Sequence, residues 1–333
     1  MTKQYGPIEV TYSRGDMVES RHQVVAVRST VSGVQACWGD VSKPVFPRSS
    51  FKPFQALAVI ASGAADAVNL QPHQLALSMA SHNGEPRHAQ AVMAWLDTLA
   101  LDEAALHCGT HPPMGMQASA DLYRAGAEPT ARHHNCSGKH AGMLTLMKHL
   151  DGTPNYEEYD HPVQVRIREL AGQFLEIDLA EAAWAPDGCA VPNYALHLSA
   201  LATGYARLTQ PPNDLEAACK RLLDAWAARP DLIAGADRFD TAVMLATESQ
   251  VLSKCGAEGV QAALIPATGV AFAVKAKDGG QRAAEQAMAD LLAREHALDL
   301  ESRELAKHWQ AAARSLVNER GDVIGQIAVQ YAD

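Results

Sequence analysis

The first fifty residues contain short runs of apolar residues whose length and composition are typical of β-strands. The pattern predicts three strands at 8–12, 23–28 and 34–38, with Gly15 and Gly33 as turn residues. Strands this close in sequence pair through short turns, so we expect the fold to begin with an antiparallel sheet.

A helix is predicted at 52–61, where the apolar residues change to helical spacing. Pro53 sets its register, because proline lacks an N–H and fits only the first turn. We expect Ser50 to be the N-cap and Ser49 to lie at the helix entrance. Unpaired N–H groups and the positive end of the helix dipole would favour an oxyanion there.

The middle of the chain is rich in alanine and leucine at helical spacing and predicts a helical lobe. Helices are expected at 89–101, 141–150, 163–175 and 215–228. Polar, glycine-bearing segments interrupt this lobe and are the candidate site loops. They lie at 81–87, 107–117, 133–142 and 186–194.

Towards the end of the chain, apolar runs at 260–266 and 270–276 predict a hairpin, and a helix is expected at 281–296. Strands, helices, strands and a final helix predict a single interleaved α+β domain, since no repeat or linker divides the chain. Its sheet lobe is expected at about 1–50 and 250–333, and its helical lobe at about 51–249.

Composition narrows the possible partners. The 333 residues are 47% hydrophobic and carry a net charge of −10 without a dense basic run, so we expect a small-molecule partner and no nucleic-acid partner. The start has no apolar signal core and runs such as 56–61 are too short to span a bilayer, so we expect a cytoplasmic protein with no membrane partner. Six single cysteines predict reduced thiols without a disulfide framework. They are Cys37, Cys108, Cys136, Cys189, Cys219 and Cys255.

Ser49 precedes Lys52 by three positions, which places a hydroxyl and an amine on one face of a helical turn. The amine can then take the hydroxyl proton, which is the arrangement of a nucleophile with its own base. Ser50 would face away from Lys52, so Ser49 is the better candidate. Short strings of this kind also occur at solvated helix starts, so their context has to decide.

A second lysine in the same site would help Lys52 to stay neutral, because a neighbouring cation promotes the loss of a lysine proton. Lys254 lies among glycines just before an inferred strand and fits that role, although a surface lysine ahead of a turn has the same pattern. Ser81 begins a polar cluster and offers a second hydroxyl. The alternative for this cluster is a helix cap by Ser81 or Asn83 with support from Glu85.

Five motifs follow one another along the chain. They are Tyr12-Ser13-Arg14-Gly15-Asp16, Pro47-Arg48-Ser49-Ser50-Phe51-Lys52-Pro53-Phe54-Gln55, Ser81-His82-Asn83-Gly84-Glu85, Asn135-Cys136-Ser137-Gly138-Lys139-His140 and Asp187-Gly188-Cys189. Together they resemble the Rhizobium-type L-asparaginase II family. The resemblance implies a fold similar to serine β-lactamases and bacterial glutaminases, and an amidohydrolase that converts L-asparagine to L-aspartate and ammonia. It also implies a homodimer, since members of this family tend to dimerise.

The same resemblance implies which residues are catalytic. The nucleophile and its lysine partner fall on Ser49 and Lys52, and a second pair falls on Ser81 and a downstream lysine. Lys254 is preferred for that position because its Lys-x-Gly string is similar to the third motif of β-lactamase-like enzymes. The other candidates are Lys275 and Lys277.

The family also carries a zinc ion bound by two cysteines and a lysine, which match Cys136, Cys189 and Lys139. Residues three apart on a turn converge, and thiolates are good zinc ligands. A lysine ligand must be deprotonated, so zinc binding should weaken as the pH falls, and a water would complete the tetrahedron. The zinc can be structural or can tune substrate binding. Without the resemblance, both cysteines would be interpreted as core residues.

An amino-acid substrate presents a carboxylate and an ammonium, which call for a cationic and an anionic partner. Arg48 and Asp187 supply both signs, and His140 is a candidate hydrogen-bond partner of the substrate. The alternatives are a surface arginine for Arg48 and a turn residue for Asp187. His133 and His134 are interpreted as ordinary loop histidines.

The predicted function is an L-asparaginase in which Ser49, deprotonated by Lys52, attacks the side-chain amide of L-asparagine and forms an acyl-enzyme. The same residues can instead act on L-glutamine, a β-lactam or a small peptide, because pocket size sets the choice. A zinc hydrolase that uses metal-bound water as its nucleophile is a second alternative. A noncatalytic amino-acid-binding protein is a third.

Overall fold

The computed structural model describes residues 2–332, which divide into two compact units. The sheet unit contains the residues up to Ser50, Leu196–Gln210 and the residues from Asp237 onward. The helical unit contains Phe51–Ala195 and Pro211–Ala236. The single interleaved domain stays a prediction.

The described residues form short strands and helices in both units. The strands are β1 Lys3–Tyr5, β2 Ile8–Arg14, β3 Met17–Thr30, β4 Gly33–Trp38, β5 Trp184–Pro186, β6 Pro192–Tyr194, β7 Leu252–Gly256, β8 Val260–Ile265, β9 Val270–Ala276, β10 Ser315–Val317 and β11 Val323–Tyr331. The helices are α1 Lys52–Ala61, α2 Ala64–Ala67, α3 Pro72–Ser78, α4 Pro86–Thr98, α5 Met116–Arg124, α6 Ser137–His149, α7 Pro162–Leu175, α8 Leu198–Arg207, α9 Glu216–Ala228, α10 Pro230–Ile233, α11 Phe239–Ala246, α12 Gln281–Arg294 and α13 Arg303–His308.

The sheet unit is built on a mostly antiparallel sheet with the strand order β10-β11-β2-β3-β9-β8-β7. β4 pairs with the second half of β3, and β1 pairs in parallel with β4. The centre of β3 is buried on both faces, as its continuous apolar run Val24–Val27 indicates. Helices α8 and α12 both pack on β3 and β9. The strands come from both ends of the chain, which confirms the predicted α+β class.

Helix α1 lies inside the helical unit, where it contacts α6, α7 and α9. Every position from Lys52 to Ile60 is buried, and the Phe54 ring packs against Phe174 of α7 with centroids 6.2 Å apart. A helix that is apolar on nearly all sides is stable only when other elements surround it. This central place keeps the Lys52 side chain away from solvent.

Most predicted helices and strands are confirmed, although several begin or end a few residues away. One detail is corrected. Ser50 is not the N-cap, because α1 begins at Lys52 and Phe51 occupies the cap position without a side-chain hydrogen bond. Lys254 lies inside β7, a strand that was not predicted, and precedes the predicted strand β8. Strands β1, β5, β6, β7, β10 and β11 were not predicted.

Within residues 2–332, no helix is both long enough and apolar enough to cross a membrane.

Candidate active site

Ser49 and Ser50 lie in a 3₁₀ turn, Arg48–Phe51, that continues directly into α1. The two serines differ in what surrounds them. Ser50 is fully buried, its hydroxyl donates to the Pro47 carbonyl at 2.7 Å, and its own carbonyl accepts from the Tyr205 hydroxyl at 2.6 Å. Ser49 is only half-buried. Ser50 therefore holds the turn, which leaves Ser49 as the candidate nucleophile.

Arg48 has a left-handed backbone, with φ of 53°. Outside glycine this conformation costs about 1 kcal/mol or more and is kept only where the surrounding structure enforces it. It directly precedes Ser49, so the backbone is strained next to the candidate nucleophile. The Arg48 side chain is half-buried.

Lys52 and Ser81 meet in the helical unit. Lys52 is 1% exposed, and its Nζ lies 3.0 Å from the Ser81 Oγ and also donates to the Ala80 carbonyl. Ser81 follows α3, and its N–H donates to the Ile233 carbonyl at 2.9 Å. Neither Ser81 nor Asn83 is a helix cap, since Glu85 occupies the N-cap position of α4. The buried amine and hydroxyl form a polar pair inside an apolar core.

Lys254 lies in the sheet unit and is fully buried, which excludes the surface-lysine alternative. Its Nζ donates to the Cys255 carbonyl at 3.0 Å and lies 3.9 Å from an Asp240 carboxylate oxygen. The two rival lysines are placed differently. Lys275 donates to the backbone carbonyls of Glu258 and Ala276, both at 2.6 Å. Lys277 contacts the exposed side chain of Gln23 at 3.4 Å.

Cys136, Lys139 and Cys189 come together in the helical unit, and all three are buried. Cys136 precedes α6, Lys139 lies in the first turn of α6, and Cys189 lies in the turn between β5 and β6. The Lys139 Nζ is 2.7 Å from the Cys189 Sγ. A hydrogen bond from Cys189, followed by the charges of Lys52 and Lys139, holds the pKa of the Cys136 thiol well below its usual range despite burial.

The same contacts affect the other two groups. The hydrogen bond to Cys136 and burial raise the pKa of the Cys189 thiol well above its ordinary value. Burial alone would lower the pKa of Lys139, but the two sulfurs and Asp187 raise it. Within the described chain, no three His, Cys, Asp or Glu side chains converge as a metal site, so a site here depends on the lysine. Thiolates are good zinc ligands, but Cys189 and Lys139 would each have to release a proton to bind the metal.

Asp187 and His140 lie beside this group. Asp187 is a turn residue, since its carboxylate accepts from the Gly188 N–H at 2.8 Å, and it is half-buried. The fully buried His140 ring shares a hydrogen bond of 2.7 Å with the Tyr156 hydroxyl through Nδ1. Burial holds the pKa of His140 well below its usual range, so the ring is neutral. Among residues 2–332, its Nε2 has no hydrogen-bond partner.

The two remaining loop histidines support the backbone. The His134 Nδ1 accepts from the Cys136 N–H at 3.0 Å, and the His133 Nδ1 accepts from the Thr130 N–H at 3.0 Å. Sequence reasoning missed His82, whose Nε2 lies 3.0 Å from the Ser137 hydroxyl and whose ring stacks on His88. It also missed Tyr156 and Asp240. Asp240 is a polar residue at the start of an apolar run, whereas Tyr156 lies in the polar segment 151–160 and has no distinguishing sequence signal.

A buried amine beside a serine hydroxyl is an arrangement that serine hydrolases with a lysine base use. The family model of L-asparaginase II matches residues 10–329. The chain therefore belongs to the L-asparaginase II family and is an amidohydrolase, which confirms the predicted family. No curated protein matches the chain. Among solved structures, a β-lactamase from Mycobacterium bovis matches with 14% identity and a TM-score of 0.37, covering 83% of this chain and 95% of that one.

Proposed function

We propose that the protein hydrolyses L-asparagine to L-aspartate and ammonia, with Ser49 as the nucleophile and Lys52 as its base. The observation that carries this proposal is the contact of 3.0 Å between the Lys52 amine and the Ser81 hydroxyl, at a fully buried position. An amine in such a place can relay protons, because water does not compete for it. Ser49 lies three residues before this amine, where the 3₁₀ turn runs into α1.

In the acylation step, the Ser49 oxygen bonds to the side-chain amide carbon while its proton moves to neutral Lys52. Backbone N–H groups at the start of the helix hold the oxyanion. The bond from carbon to nitrogen then breaks, and the proton reaches the leaving nitrogen through Lys52 and Ser81, so that ammonia departs. Water attacks the aspartyl ester and gives its proton to Lys52, and the Ser49 oxygen leaves with that proton.

Lys254 is the second cation of the proposed mechanism. A positive charge near Lys52 favours its neutral form, which is the form that accepts a proton. Lys254 is supported over Lys275 and Lys277 by its complete burial. Ser81 and Lys254 therefore form the second proposed serine–lysine pair.

Three residues are proposed to bind the substrate. Arg48 would hold the α-carboxylate of L-asparagine, and Asp187 would hold its ammonium group, because each supplies the opposite charge. His140 would hydrogen-bond the substrate through its Nε2, which is buried and without a partner among residues 2–332. The Tyr156 hydroxyl would fix the orientation of the ring.

Cys136, Lys139 and Cys189 are proposed to hold a zinc ion. When bound, zinc would supply a fixed positive charge that binds the two thiolates and the amine together. No step of the proposed reaction passes through the metal. A homodimer stays a prediction.

The test compares Ser49→Ala with Ser50→Ala, since both remove a hydroxyl from the same turn. We expect Ser49→Ala to reduce ammonia release from L-asparagine by roughly a thousandfold or more while thermal unfolding is unchanged. Ser50→Ala should keep turnover and lose about 1 kcal/mol of stability, because its hydroxyl bonds only to the Pro47 carbonyl. Near-native turnover of Ser49→Ala would overturn the assignment.

The same assay separates the alternatives. Faster ammonia release from L-glutamine than from L-asparagine would change the substrate. Complete loss of activity with a chelator, restored by zinc, together with an active Ser49→Ala variant, would favour a zinc hydrolase. Thermal stabilisation by L-asparagine without any turnover would indicate a binding protein.

A further inference from the structure

We propose that Asp240 is a positioning residue of the reaction, whose carboxylate holds Lys254 as a buried ammonium. This inference rests on the role of Lys254 in the proposed function. Both residues lie in the sheet unit.

Three donors fix the Asp240 carboxylate in one place. Asp240 lies in the first turn of α11 and is 1% exposed. It accepts from the Ser253 hydroxyl at 2.8 Å, the Cys255 N–H at 2.8 Å and the Gln261 amide at 2.5 Å. A carboxylate with this many donors is rigid and stays ionised. Its pKa lies below its ordinary value, because Lys254 and these donors outweigh the effect of burial.

The charge of Asp240 is directed at Lys254. Their nearest nitrogen and oxygen atoms are 3.9 Å apart, and neither side chain reaches solvent. An isolated ammonium in such a place is costly and tends to lose its proton. The carboxylate offsets this cost without a close ion pair, which leaves the Lys254 amine its bond to the Cys255 carbonyl.

The other charged groups around this pair cannot replace Asp240. Arg238 is a further cation and donates to the Cys255 Sγ at 3.5 Å. Glu285 of α12 is the other nearby carboxylate, but burial raises its pKa to about 7, so it is partly protonated at neutral pH. The Tyr205 hydroxyl of α8 is neutral, since burial and then Asp240 raise its pKa well above its ordinary value. Asp240 is therefore the carboxylate that balances Lys254 at all pH values near neutrality.

The test is the pH dependence of L-asparagine turnover in Asp240→Asn. We expect kcat to fall by about tenfold or more with KM changed by less than about threefold, because the substrate itself does not contact Asp240. The alkaline limb of the kcat profile should move to lower pH, since an ammonium without a carboxylate partner is less stable in a buried place. Asp240→Glu keeps the charge and should restore the limb. A native kcat and a native alkaline limb in Asp240→Asn would overturn the inference.

Ser253→Ala is the matched control, because it removes one neutral donor from the same carboxylate and leaves both charges. Its alkaline limb should stay at the native position even if its stability falls. Movement of that limb by as much as in Asp240→Asn would assign the effect to packing and would contradict the proposal.

Lys254→Met separates this inference from the proposed function. Native turnover of Lys254→Met would contradict the role of Lys254 and the inference with it. Loss of turnover in Lys254→Met with a native Asp240→Asn would contradict the inference alone. In the Lys254→Met background, Asp240→Asn should cause no further loss of kcat, as expected for residues that act as one unit.

The double variant also covers the case in which Asp240→Asn does not fold. Removing one partner of a buried charge pair is costly, whereas removing both is often neutral. We therefore expect the double variant to melt at a higher temperature than Asp240→Asn. A double variant that is no more stable would show that Asp240 has a purely structural role.

Discussion

Glu285 is a residue of the sheet unit whose negative charge opposes folding. It lies on α12 and accepts from the Trp309 indole N–H at 3.2 Å. Burial raises its pKa from 4.5 to about 7, although Arg238 lowers it. Between these two pH values the folded protein keeps a proton that the unfolded chain releases. The contribution of Glu285 to stability therefore decreases as the pH rises from about 4.5 to about 7.

Glu285→Gln should remove this pH dependence. At pH 8 we expect the variant to be more stable than the native protein by about 1–3 kcal/mol, because the amide keeps an acceptor for Trp309 and carries no charge. Values of about 1 kcal/mol apply if solvent screens the Glu285 charge, because this side chain is not completely buried. At pH 4.5 the two proteins should differ little. Urea unfolding at both pH values measures the difference in the free energy of unfolding between the variant and the native protein. An equal difference at both pH values would contradict the assignment of the effect to the Glu285 charge.

Glu295 at the end of α12 is a control carboxylate whose pKa is shifted in the opposite direction. Its carboxylate accepts two bonds from Arg28, at 2.6 and 2.8 Å, and these hold its pKa below the ordinary value. Its stabilisation is present above the unfolded pKa and is lost as the pH falls through the folded one. Glu295→Gln should therefore destabilise the protein at pH 8 and have less effect at low pH.

At the scale of residues, sequence spacing gives chemistry only where the backbone is regular. Ser49 and Lys52 were found from three-residue spacing, and the choice of Ser49 over Ser50 is supported by the bond of Ser50 to the Pro47 carbonyl. Asp240 could not be found in this way, because its partners Lys254 and Gln261 lie on other elements. Contacts between elements depend on tertiary packing, which residue spacing does not encode.

Among the elements, the predicted ones have a clear apolar pattern, whereas several short or exposed ones were missed. Helix α7 and strand β9 match their predictions closely, since apolar positions recur regularly in both. Strand β1 has three exposed residues and therefore no apolar period. Strand β10 is equally short and forms the edge of the sheet. Pairing with a neighbouring strand, and not local pattern, makes such segments into strands.

Gly138 allows α6 to approach α3 in the helical unit. A Cβ at this position would lie 2.3 Å from the Leu77 carbonyl oxygen and 2.5 Å from the Leu77 Cγ. Gly138→Ala should destabilise the protein by about 2 kcal/mol, because one helix has to move and this outweighs the helix propensity of alanine. Urea unfolding measures the effect.

Gly142 is the matched control, one turn later in α6. The atom nearest to a Cβ at Gly142 would be the Ser78 Cβ at 3.1 Å. This distance is tight, but the contact is with a side chain and not with the backbone. Gly142→Ala should therefore stay within about 1 kcal/mol of the native stability. Equal stability of Gly138→Ala and the native protein would show that the two helices separate without cost.

At the scale of the whole molecule, the α+β class followed from strand periods near both ends and helical spacing between them. Helix α8 was not predicted, and the region around it was assigned to the helical lobe. It belongs to the sheet unit, where the Thr203 and Ser29 hydroxyls lie 2.9 Å apart. A helical pattern shows that one face is buried but does not identify the surface that buries it.

Zinc binding is predicted to affect the whole molecule. A ligand that binds only the folded state stabilises the entire folded protein against unfolding. We expect about one zinc per chain by elemental analysis, and a chelator should lower the melting temperature reversibly. With free zinc at a thousand times its dissociation constant, the added stability is about 4 kcal/mol.

Cysteine variants locate the metal. Cys136→Ser should lose the zinc, because a hydroxyl is a poor substitute for a thiolate whose low pKa suits metal binding. Cys219→Ser is the control, since Cys219 is equally buried but lies on α9. It should keep the full zinc content even if its stability falls. Two results would contradict the site: zinc retained in both cysteine variants, or no zinc in the native protein. In either case Cys136, Lys139 and Cys189 are core residues joined by hydrogen bonds. The contact of 2.7 Å between Lys139 and Cys189 would then explain why these two polar side chains can be buried.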